Sequence, residues 1–178
     1  GVNPPRVGVI NILRQMGANI VLSNELDVGG EPVADVRVRY APLKGITIPE
    51  DQVPLAIDEF PAIFIAAACA EGTTILSGAE ELRVKESDRI QSMADGLVIL
   101  GIDAQPTVDG ICILGGQLGS GSVHSHDDHR IAMAFSIAAL RASGEIIVLD
   151  CNNVGTSFPD FVGLAGQIGI NLTSETMS

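Results

Sequence analysis

The sequence predicts an α/β chain of repeated β-α-β-α-β-β units, with helices buried inside and sheets outside. Three observations point there. A helix-ending cassette recurs, two helical stretches are apolar on nearly every face, and short alternating runs bounded by glycine or proline lie between them.

The first cassette is an amphipathic stretch ending in apolar-Gly-apolar-Asn/Asp and running into a strand. It occurs as Met16-Gly17-Ala18-Asn19-Ile20, Leu100-Gly101-Ile102-Asp103-Ala104 and Ile168-Gly169-Ile170-Asn171-Leu172. Glycine in that place suits a left-handed residue just past a helix. The second cassette is a helix of small residues opened by aspartate, Asp58 to Ala70 and Asp128 to Ala142, followed by Gly72-Thr73-Thr74-Ile75-Leu76 and Gly144-Glu145-Ile146-Ile147-Val148-Leu149. Aspartate there suits an N-cap.

Asp58 and Asp128 are 70 residues apart, Gly72 and Gly144 72, and Gly101 and Gly169 68, so the unit is about seventy residues long. Val36 to Tyr40 and Ile111 to Leu114 read as strands within it. The chain is therefore expected to be a fragment that opens partway through a unit: a partial unit over 1–44, then units over 45–115 and 116–178. The stretches Ala62 to Ala70 and Ile131 to Leu140 read as helices buried all round. The helices Ser87 to Leu100 and Pro159 to Ile168 carry polar residues at their starts, where chemistry has room.

Composition narrows the function. The 178 residues are 46% hydrophobic, enough for a packed core, and the net charge of −12 repels nucleic acid and anionic lipid. Phe60 to Ala70 is too short to span a bilayer. Cys69, Cys112 and Cys151 are scattered and odd in number, which fits reduced thiols. The expectation is a cytoplasmic protein with neither nucleic acid nor membrane as partner.

Basic residues are few, yet Arg83, Lys85 and Arg89 fall within seven positions. Arg89 belongs to the first turn of a helix, where free N–H groups already favour an anion. The alternative is a set of solvated ion pairs with Glu86 and Asp88. A second cluster, His124-Ser125-His126-Asp127-Asp128-His129-Arg130, holds every histidine of the chain. One reading makes His124, His126 and Asp128 zinc ligands of a hydrolase, although no further histidine exists to complete a dinuclear site. The other makes Arg130 a planar fork for carboxylate or phosphate with His129 as donor, against a surface Asp127–Arg130 pair.

Leu82-Arg83-Val84-Lys85-Glu86-Ser87-Asp88-Arg89-Ile90 closely resembles the first signature of the 5-enolpyruvylshikimate-3-phosphate synthase family, and Asp128-His129-Arg130-Ile131-Ala132-Met133-Ala134 resembles the second. Thr156-Ser157-Phe158-Pro159-Asp160-Phe161 looks like a third. The resemblance covers essentially the whole chain. It implies most of one enolpyruvyl transferase-like domain, the C-terminal portion of an enzyme whose N-terminal domain is needed for activity, so the fragment alone is expected to be inactive.

The implied reaction moves the enolpyruvyl group of phosphoenolpyruvate to the 5-hydroxyl of shikimate 3-phosphate, through a tetrahedral adduct, with release of phosphate. It serves chorismate and aromatic amino-acid biosynthesis. No metal or organic cofactor is implied. By resemblance Asp58 deprotonates the acceptor hydroxyl, and Lys85 with Glu86 manages proton transfer, the division between them left open. Arg89 and Arg130 clamp phosphoenolpyruvate, and His129 either contacts it or plays a structural part. Asp128 is expected to act as a helix cap. Many family members carry lysine where Thr156 stands. Competing readings are the sister UDP-N-acetylglucosamine enolpyruvyl transferase, a non-catalytic anion-binding module, and the zinc hydrolase. The half-unit near Gly1 should leave an open sheet edge that favours self-association.

Overall fold

Three helices meet in the interior through their apolar sides. In a computed structural model that describes residues 1–175, these are α2 (Phe60–Ala68), α3 (Arg89–Ile99) and α4 (His129–Ala138). Phe60, Phe64, Ile63, Met93, Leu97, Ile131 and Phe135 are buried between them. Gly96 of α3 admits the Phe135 ring of α4 so closely that a Cβ there would lie 2.3 Å from its Cζ. The sequence suggested burial all round, and the structure departs from that. Ala62 and Ile137 are exposed, and with Pro61, Ile65 and Met133 they line an apolar groove between α2 and α4 that ends at Asp58 and Arg130. The last turn of the second small-residue helix also tightens to 3-10 form over Ala139–Arg141, leaving Leu140 exposed.

Four of the short strands pack against these helices. The remaining elements are α1 (Gly8–Gln15), β1 (Asn19–Val28), β2 (Glu31–Arg39), β3 (Thr73–Leu76), β4 (Asp103–Pro106), β5 (Ile111–Leu114), β6 (Gly121–His124), β7 (Ile146–Leu149), α5 (Asn153–Ser157) and α6 (Phe161–Gln167). β3, β5 and β4 form an antiparallel sheet in that order, and Thr47 bridges to Ile75 on its open flank in parallel sense. β6 and β7 pair in parallel, Val123 opposite Val148. Side chains alternate as a half-buried strand requires: in β3, Thr74 and Leu76 are buried while Thr73 and Ile75 face outward. No helix among the described residues is long and apolar enough to cross a membrane.

Gly17, Gly101 and Gly169 have φ of 97°, 84° and 85°. Behind each, two N–H groups return to the helix: Ala18 to Leu13 and Gly17 to Arg14, Ile102 to Leu97 and Gly101 to Val98, Ile170 to Ala165 and Gly169 to Gly166. This is the Schellman stop, built three times from one local sequence pattern. After the first two stops a strand begins, as expected. After the third it does not: residues 171–175 are irregular, because no neighbouring strand among the described residues offers them a ladder.

β1 and β2 are longer than the short run the sequence suggested. They join through Gly29 and Gly30, both at positive φ, and pair along a hairpin that includes Ile20–Val38 and Leu22–Val36. No third strand joins them among the described residues, and Val36 and Val38 remain exposed.

Candidate active site

The starts of α2, α3 and α4 meet, and their first residues carry the charges. α2 begins at Phe60 behind Glu59, with no side-chain cap. Asp58 is therefore not the N-cap that its repeat partner suggested. Pro61 suits the first turn and fixes the helix start two residues later, which leaves the Asp58 carboxylate free to face other groups.

α3 is entered through a 3-10 turn, Glu80–Val84, and capped by Asp88, which accepts from the Gln91 N–H at 3.0 Å. Arg83 pairs with Asp88 at 2.6 Å and donates to the carbonyls of Val108 and Thr107. It ties down the loop and stands apart from the cluster. Lys85 and Arg89 point the other way. Arg89 is 2% exposed, so the solvated-pair reading fails for it.

Asp128 is a cap, but that is only half of its role. Its Oδ1 accepts from the N–H groups of Arg130 and Ile131 at 3.0 and 3.4 Å, while its Oδ2 accepts from Arg89 Nε at 2.8 Å and Ser87 Oγ at 3.1 Å. The residue has no exposed surface. Burial pushes its carboxyl up. The Arg89 hydrogen bond and charge, the Arg130 N–H and the Ser87 hydroxyl outweigh that and hold it below the ordinary carboxylate value. The Arg89–Asp128 pair and Ser87 were missed in sequence; the available signal was that an arginine at a buried helix start needs a buried counter-ion.

The six residues to which the resemblance assigns roles come together. Asp58 lies 3.3 Å from Arg89 Nη1, 3.6 Å from Arg130 Nη2 and 3.9 Å from Lys85 Nζ. Arg130 also donates to the Asp58 backbone carbonyl at 3.0 Å, so the alternative of a surface pair with Asp127 gives way to a tie between α4 and the start of α2. His129 Nδ1 sits 2.8 Å from Glu86 Oε2, and Glu86 Oε1 is 4.0 Å from Arg89. Lys85 further pairs with Glu81. Three cations thus surround one half-exposed carboxylate, beside a hydrogen-bonded carboxylate–imidazole pair.

The zinc set is not assembled. His124 pairs with Asp150 at 2.8 Å and lies against the His126 ring, away from Asp128's commitments. The one group of potential metal ligands among the described residues, Glu86, Asp128 and His129, already encloses a cation, the Arg89 guanidinium. Thr156 lies exposed on α5, which packs on α4.

Fold and site together define an α/β domain that gathers cations at the starts of its inner helices. The family model described as EPSP synthase (3-phosphoshikimate 1-carboxyvinyltransferase) matches residues 1–164, and the chain belongs to that family. A 3-phosphoshikimate 1-carboxyvinyltransferase of Methylococcus capsulatus is 66% identical over 97% of this chain and 39% of its own length. One from Alkalilimnicola ehrlichii is 65% identical with the same coverage. The solved EPSP synthase of Acinetobacter baumannii superposes with a TM-score of 0.95 at 58% identity, over 98% of this chain and 42% of that one. The chain thus spans about two fifths of the length of these relatives, and its fold is the α/β fold of the enolpyruvyl transferases.

Proposed function

We propose that these residues form the phosphoenolpyruvate side of a 3-phosphoshikimate 1-carboxyvinyltransferase site. The observation that carries this reading is the convergence of Arg89, Arg130 and Lys85 on Asp58, with Glu86 and His129 paired beside it. Arg89 and Arg130 hold the carboxylate and phosphate of phosphoenolpyruvate as planar forks. Asp58 takes the proton of the acceptor's 5-hydroxyl as the oxygen bonds to C2 of the enol. The methylene carbon gains a proton from the Lys85–Glu86 pair, giving a tetrahedral adduct. Loss of a methyl proton and of phosphate then restores the double bond. Each positioned acid or base contributes about 10²–10⁴-fold, and His129 orients Glu86 through their hydrogen bond.

The acceptor is shikimate 3-phosphate, and a second domain supplies the groups that hold its phosphate. We read the chain as most of one domain, divided at 1–44, 45–115 and 116–178. Support comes from the three matching helix stops and the repeated order of α1-β1-β2 and α3-β4-β5. A cytoplasmic setting is supported by three free, well-separated cysteines.

The test is phosphate release from phosphoenolpyruvate by a full-length enzyme containing this chain, offered shikimate 3-phosphate or UDP-N-acetylglucosamine, with Glu86→Ala as control. Turnover with shikimate 3-phosphate alone, lost in the control and absent from the isolated chain, is expected. Turnover with the nucleotide sugar instead identifies the sister transferase. A folded full-length enzyme inactive with both leaves an anion-binding module.

A further inference from the structure

We propose that Asp128 is a positioning residue: its buried carboxylate grips one edge of the Arg89 guanidinium, through Nε and Nη2, and aims the outer edge at the anion. The proposal rests on Arg89 being a ligand of that anion. Arg89 and Asp128 are 2% and 0% exposed. Their contacts use Nε, at 2.8 Å, and Nη2, at 3.4 Å, and leave Nη1 turned to the half-exposed carboxylate of Asp58. A planar fork held along one edge has the direction of its other edge fixed.

Asp128 is itself immobilised. Two N–H groups of α4 and the Ser87 hydroxyl fix both of its oxygens. The orientation of Arg89, at the start of α3, is thus referenced to the start of α4, which also carries His129 and Arg130. One carboxylate sets the spacing of two arginines 41 residues apart in sequence. Placement of this kind governs how well a charged ligand fits, because pre-positioned donors need no reorganisation on binding.

Asp128→Asn separates positioning from folding. Asparagine caps helices as well as aspartate does, but it loses the charge and one acceptor oxygen that face Arg89. Asp128→Ser also caps, and its hydroxyl is too short to reach the guanidinium. In the full-length enzyme, both variants are expected to raise KM for phosphoenolpyruvate about tenfold or more while KM for the acceptor stays within about twofold. A second readout needs no turnover. The Arg89 Nε–H resonance should be protected from solvent exchange in the wild type and lose that protection in Asp128→Asn, and inorganic phosphate should bind about tenfold more weakly to the variant.

Unchanged KM values in folded variants overturn the proposal. So does a fall in kcat that follows lost thermal stability with both KM values preserved, which marks a structural prop. If the wild type fails to turn over phosphoenolpyruvate, the functional reading falls separately, and the proposal is then decided by the Nε–H resonance and phosphate binding. Protection and phosphate affinity that are equal in wild type and variant overturn it.

Discussion

Arg130 donates to the backbone carbonyl of Asp58 at 3.0 Å and reaches the carboxylate of the same residue at 3.6 Å, across 72 positions of sequence. A lysine cannot make both contacts and present a flat fork to a ligand. Arg130→Lys is therefore expected to lower kcat/KM for phosphoenolpyruvate by about 10–100-fold, the loss of one or two charge-assisted hydrogen bonds. Steady-state kinetics of the full-length enzyme checks this.

Asp128 also carries a pH signature. Its carboxyl is held below the ordinary value despite burial, chiefly by Arg89. A depressed folded-state value gives stabilisation that is fully present above the unfolded-chain value, about 4, and is lost as pH falls from there through the folded-state value. The difference in Tm between wild type and Asp128→Asn should be largest above about pH 5 and shrink below about pH 4. Thermal melts from neutral to acid pH will show whether it closes.

Gly96 and Phe135 set the distance between α3 and α4. A methyl at position 96 would meet the ring at 2.3 Å. Overpacking of this kind costs about 1–3 kcal/mol and outweighs the roughly 1 kcal/mol that alanine adds to a helix. Gly96→Ala should lower Tm by a few degrees, and adding Phe135→Leu should restore part of the loss.

The thiols should differ in reactivity. Burial pushes the Cys69 thiol up, only partly opposed by the charge and hydrogen bond of Arg141, whereas Cys151 is exposed. At neutral pH an alkylating reagent should modify Cys151 first and Cys69 at least about tenfold more slowly. Peptide mass spectrometry over a time course reads both.

The β1–β2 hairpin bears on behaviour in solution. Val36 and Val38 are 51% and 64% exposed on one face of a two-stranded sheet. Open edges and apolar faces favour pairing between copies. Sedimentation velocity should show concentration-dependent association of this chain, and Val38→Lys should reduce it.

Much of this was legible in the sequence because it is local. A glycine two places past a helix, an aspartate before one, and alternation along four residues all act within a turn or two of chain. The three Schellman stops, β5 and the buried character of α2 follow from such signals. Resemblance then placed Asp58, Lys85, Glu86, Arg89, His129 and Arg130 in one site, and the geometry brings them together. Pairings over long range were not legible. Nothing within a turn of Asp128 reveals Arg89, 39 residues away. Asp58 and Asp128 look alike in the repeat, yet Pro61 moves the helix start and only Asp128 caps. That no strand forms over residues 171–175 is also a long-range matter, since a strand exists only beside another.

The three contacts on Asp58 give the site an internal occupant. An incoming anion that takes Arg89, Arg130 and Lys85 does so by exchange, each ionic contact it gains being one that Asp58 gives up. Because the number of ion pairs stays nearly constant, attraction alone contributes little net free energy, and shape must do the selecting.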